Sequence, residues 1–128
     1  MDESLSTHCA ALVEQHLRFV NDGRPAARTW FADHGRDEEA LNAAALAVGT
    51  AYVEGRLSYR AGSSFMNGLM AQSEWEAPKT FWSIYIAFED FETTEDPGSE
   101  AVQHVAKALA FAQESIAPVK SQPGTAPR

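Results

Sequence analysis

Apolar residues recur along this chain at intervals of three and four, the spacing of helices that bury one face. From Ser4 to Asn21 the stripe is Leu5, Cys9, Leu12, Val13, His16, Leu17 and Val20. Asn21, Asp22 and Gly23 stop that helix, with Gly23 in the usual position just past the end. Pro25 opens a short second helix that carries Trp30 and Phe31, and Gly35 ends it. Asp37 reads as an N-cap, and Glu38 and Glu39 then stand in a first turn whose dipole favours negative charge. The run from Ala40 to Tyr52 is apolar on almost all sides, so it is expected to be the most buried helix, closed by Gly55. Ser58 caps a fourth helix with Phe65, Met66, Leu69 and Met70 on one side. The short link from Gly55 to Leu57 predicts a tight hairpin of helices three and four, in which Gly49 and Gly68 let the two approach closely.

Residues Gln72 to Ala77 read as a loop, and Pro78 as the first residue of a fifth helix. The stretch from Phe81 to Phe88 has enough aromatics and isoleucines for a strand. No second strand is evident to pair with it, and a lone strand leaves its backbone groups unsatisfied, so helix is the better reading. A last helix runs from Ser99 to about Ile116, with Val102, Val105, Leu109, Ala112 and Ile116 in register. The expected fold class is therefore all-α, a compact bundle of five to six helices. It forms one domain over residues 1–117, with a flexible tail over 118–128 where three prolines and a glycine gather.

Composition narrows the function classes. A hydrophobic fraction of 45% over 128 residues supports a true core. A formal charge of −8 argues against direct binding to nucleic acid or anionic lipid, which need clustered Lys and Arg. The single cysteine, Cys9, rules out an internal disulfide and fits a reducing cytosol. There is no secretory signal and no run of ~18 apolar residues, so a cytoplasmic protein that spans no membrane is expected.

The distribution of that charge is uneven. Residues 74–100 hold six of the 13 aromatics and eight of the 18 acids, against one base, Lys79. Helical phasing separates this cluster into two parts. Phe81, Ile84, Tyr85, Phe88 and Phe91 share one face, which is core. Trp82 and Ile86 fall outside it, on the side of Glu89 and Asp90, and Glu92, Glu95 and Asp96 continue the acidic run. Large apolar side chains interleaved with carboxylates suit a surface that grips a basic protein. The plainer reading is that Trp82 packs on a neighbouring helix and the acids merely keep the chain soluble. Acids at a helix C-terminus are locally unfavourable, which points to retention for another reason. The partner-binding set is therefore Trp82, Ile86, Glu89, Asp90, Glu92, Glu95 and Asp96.

Other constellations carry less. The acidic run lacks the glycine and twelfth-position glutamate of a calcium loop. His8, Cys9 and His16 do not reach a metal-ligand set, and a buried thiol beside a hydrogen-bonded core histidine is the better reading. No nucleophile pair, phosphate loop or carboxylate pair stands out, so no enzyme activity, cofactor or metal is expected. His104 and Phe111 sit opposite the apolar stripe of the last helix and offer a second contact patch. Arg56 and Arg60 read as a solvated edge, with Glu54 in reach of pairing.

The turn Tyr52-Val53-Glu54-Gly55-Arg56-Leu57-Ser58-Tyr59, followed by Phe65, resembles the hairpin of small helical bacteriocin immunity proteins of the colicin D type. It covers fewer than 20 of the 128 residues. The resemblance implies a small acidic helical protein that sits on the active site of a basic nuclease toxin. It carries over no binding residue, because that family's contacts lie outside the matched turn. The expected function is thus inhibition or neutralisation of a basic, nucleic-acid-handling protein, as an immunity protein, antitoxin or phage-type inhibitor. The alternatives are a homo-oligomer whose dimer interface is the Trp82 side, and a metal- or ligand-binding helical domain.

Overall fold

The computed structural model describes residues 3–90 and 98–116, with side chains through Ala112. Six helices account for the fold, and no strand occurs among the described residues. The stretch Phe81 to Phe88 is helical, as the missing strand partner requires. Helix α1 spans Glu3–Ala11 and runs directly into a π-helical segment, Leu12–Leu17. Then come α2 (Arg24–His34), α3 (Glu38–Val53), α4 (Tyr59–Gln72), α5 (Lys79–Glu89) and α6 (Gly98–Ile116).

Local chemistry accounts for the helix starts. The Asp37 carboxylate accepts from Ala40 N at 3.0 Å and the Ser58 hydroxyl from Ala61 N at 3.0 Å, each meeting one orphan N–H of a first turn. Pro78 stands one position outside α5, as its N-cap, where its missing N–H costs nothing.

The first helix departs from the single α-helix expected over Ser4–Asn21. Its second half is wound more loosely, and the Arg18 N–H reaches back five residues to Val13 O at 2.9 Å. An extra residue per turn rotates everything beyond it. Leu17 still reaches the core, but His16 faces solvent, so the core histidine expected from a 3.6-residue period is not formed.

Helix α3 is the central element, with nine of its sixteen residues buried, and it packs against α1, α4, α5 and α6. Its register with α5 is set by the Asn42 side chain, whose Oδ1 accepts from Phe81 N at 3.0 Å. At the other end the Tyr52 and Phe88 rings lie 5.4 Å apart, so α3 and α5 run parallel. Asp90, at the end of α5, meets His104 in the first half of α6, so α6 runs antiparallel to both.

Two glycines act elsewhere than expected. A Cβ on Gly49 would lie 3.0 Å from Leu109 and 3.5 Å from Ile84, so this position seats α5 and α6 on α3. A Cβ on Gly68 would meet Ala27, because α4 packs chiefly on α2. The short 55–57 link does not make α3 and α4 each other's main partners.

The tightest approach is at Gly23. Its N–H donates to Ser64 Oγ at 2.6 Å, and an added Cβ would lie 2.4 Å from the Ala61 carbonyl oxygen and 2.7 Å from Phe65 Cβ. Neither of those two atoms can swing aside, since they belong to the α4 backbone or are fixed to it. Gly23→Ala should therefore destabilise the fold by about 1–3 kcal/mol or more through overpacking. A lowered urea midpoint at unchanged slope is the expected observation. An unchanged midpoint would show that α2 and α4 can separate at no cost.

Candidate functional site

Helix α5 has one buried and one exposed side. Phe81, Ile84, Tyr85 and Phe88 are at most 5% exposed and form the middle of the core, whereas Trp82 is 41% and Ile86 39% exposed. Phe91, expected on the buried side, lies outside the described residues, as do Glu92, Glu95 and Asp96 of the candidate set. Trp82, Ile86 and Asp90 follow one another at four-residue steps and make a continuous stripe along the outer side of α5.

Sequence reasoning missed Trp75 as a member of this surface. Ser73, Glu74 and Trp75 form the turn after α4, and both Glu74 (φ 59°) and Trp75 (φ 67°) hold the left-handed conformation. Two such residues in succession, neither of them glycine, cost on the order of 1–2 kcal/mol each. Hydrogen bonds to the end of α4 hold the turn, among them Trp75 N to Met70 O at 3.0 Å. Arg36 clasps it from the α2–α3 side, bonding Glu74 and lying 3.6 Å from Glu76. The outcome is an indole 58% exposed, with its ring edge-on to Tyr85 at 6.1 Å. Trp82 also contacts Tyr85, at 5.7 Å, so both exposed tryptophans pack on the same buried tyrosine ring.

A fourth exposed apolar residue, Phe111, stands on α6. Phe111 lies seven residues, two turns, beyond His104 on the same stripe. Since α5 and α6 are antiparallel with Asp90 beside His104, that places Phe111 level with Trp82. Among the described residues six large apolar side chains are exposed, and Trp75, Trp82, Ile86 and Phe111 are four of them.

The carboxylates are less isolated than the sequence implied. Arg36 pairs with Glu74 and lies near Glu76, offsetting one of their two charges, and Asp90 Oδ2 lies 2.7 Å from His104 Nε2. The bases come from α2–α3 and α6, which no window on the sequence around Lys79 contains. Glu89 is half-buried at the end of α5.

Away from this face, His8, His16 and His34 line a cleft of about 110 Å³ with Trp30 and Asp33. His34 stacks on Trp30 at 4.1 Å and approaches His8 at 5.3 Å. Among the described residues no three His, Cys, Asp or Glu side chains converge as a metal requires. Burial pushes the Cys9 thiol up to about 11, so the nucleophilic thiolate is scarce at neutral pH. Cys9 should resist a thiol reagent in the native protein and react fully only in denaturant. Rapid native labelling would contradict the burial of this thiol. No helix among the described residues is long and apolar enough to cross a membrane.

Compared with known proteins, the chain matches no family model, no curated protein and no solved structure.

Proposed function

We propose that the protein binds and neutralises a basic protein partner through the surface formed by Trp75, Trp82 and Ile86. The observation that carries this reading is the pair of exposed tryptophans that both pack on Tyr85, one of them on a strained turn. Indole rings combine large contact area with little side-chain entropy to lose, and they dominate binding energy where they occur at interface centres. Strain of the kind seen at Glu74 and Trp75 persists where surrounding structure holds it, and it gathers at binding sites.

Glu89 and Asp90, with Glu92, Glu95 and Asp96 beyond them in sequence, supply the attraction. They steer a cationic surface toward the aromatic centre and stand in for the phosphates that a nucleic-acid-handling partner would hold. Occupying such a cleft is how a small acidic protein inhibits, and this agrees with the resemblance to colicin D-type immunity proteins. The role is non-catalytic.

The test is affinity capture from extracts of the source cells, run in parallel with the full chain and with its Trp82→Ala/Ile86→Ala variant. A basic protein retained by the former and released by the latter is the expected result. A partner retained equally by both would place the interface elsewhere.

A further inference from the structure

A second surface, carried by α1 and α3, has both a hollow and a matching projection. A groove of about 680 Å³ runs between these helices, walled by Cys9, Ala10 and Val13 on one side and Ala43, Leu46 and Ala47 on the other. It falls in the size range of real binding sites and is mostly apolar. Phe19, just past the π-helical segment, is 85% exposed, the most exposed large apolar residue among those described. A chain of contacts joins it to the groove. The Arg18 guanidinium lies over the Phe19 ring at 5.2 Å and bonds Glu14 at 2.7 Å, and Glu14 also accepts from Arg56, which lines the groove at 3.0 Å from it. Projection and hollow thus belong to one continuous face.

We propose that this face is a homodimer interface, in which Phe19 of each copy enters the groove of the other. A surface that carries both a knob and its hole is self-complementary, as a two-fold contact demands. Glu14 lies midway in sequence between Phe19 and Cys9, so a two-fold axis beside it lays the two segments antiparallel and brings each Phe19 to the other's groove wall. Two Glu14 carboxylates then approach one another, but each is already paired with Arg18 and Arg56. Counting Glu54, which also pairs with Arg56, each copy brings two carboxylates and two guanidinium groups to this region, so the facing clusters are charge-balanced and do not repel. The occupant is therefore a second copy of this chain. The contact uses neither Trp82 nor Ile86, so a dimer still presents two partner-binding patches.

The experiment is light scattering on the full chain over a concentration series, with circular dichroism to verify folding. The wild-type protein is expected at twice the 14.0 kDa of one chain. Phe19→Ser, which removes an exposed ring the fold does not need, is expected to return it to one chain. Ala47→Trp, which fills the groove, should do the same. Mixing these two variants should restore a weaker dimer, because one knob and one intact groove then meet across the axis. Trp82→Ala should leave the dimer unchanged. A wild-type protein that stays a single chain up to its solubility limit would overturn the proposal. So would a dimer that survives Phe19→Ser, and since that side chain is exposed this result stands whether or not Ala47→Trp folds.

Discussion

Phe88→Ala is expected to cost about 3–5 kcal/mol of folding stability, a large part of what a domain of this size possesses. The side chain is 1% exposed and holds three elements at once. Its ring lies 5.4 Å from Tyr52 of α3 and 5.7 Å from Tyr59 of α4, and the Tyr59 hydroxyl donates to the Phe88 carbonyl. Gly62 of α4 lies directly against it, where any Cβ would come within 2.9 Å of the ring. Removing a ring so enclosed leaves a cavity walled by the Tyr52 and Tyr59 rings and the α4 backbone at Gly62, which can close only in part. Thermal or denaturant unfolding with unchanged slope gives the number. A loss below about 1 kcal/mol would mean that α3, α4 and α5 do not meet as described.

Trp82→Ala, six residues earlier on the same helix, should behave in the opposite way. Its indole is 41% exposed, so truncation should move folding stability by only about 1 kcal/mol. Affinity for the basic partner should fall by about 2 kcal/mol or more, roughly thirtyfold, as at other central tryptophans. Most of that loss belongs in the dissociation rate. Reversing the charge of the exposed Asp90 should instead slow association and weaken its dependence on salt, because a peripheral charge acts mainly on encounter. Binding that survives Trp82→Ala while folding stability drops sharply would make Trp82 a core residue and nothing more.

That contrast between positions 82 and 88 was legible in the sequence, because a 3.6-residue period decides which side of a regular helix each residue takes. The same argument misplaced His16. The π-helical turn Leu12–Leu17 breaks the period, and no proline, glycine or residue pattern announces it. The N-caps at Asp37 and Ser58 were readable, since their chemistry is local. Trp75 was not. Its exposure follows from a left-handed turn fixed by the end of α4 and by Arg36, which lies 39 positions earlier. The pairing of Asp90 with His104 is likewise a consequence of how α6 folds back. It gives Asp90 a side-chain partner that the acidic run, read in isolation, does not show. The groove beside Cys9 left no trace in the sequence either, because it exists only where α1 leans on α3.

The three tryptophans provide the most direct test of the binding surface, because two belong to it and the third does not. Each indole N–H gives its own signal in a nitrogen–proton NMR spectrum of the full chain. Trp30 is buried in α2, remote in sequence and packing from the α5 surface, while Trp75 and Trp82 both pack on Tyr85. On titration with the captured basic partner, the Trp75 and Trp82 indole signals should shift or broaden together while that of Trp30 stays in place. A complex that forms with those two signals unmoved, or with Trp30 alone responding, would contradict a binding surface built on Trp75 and Trp82.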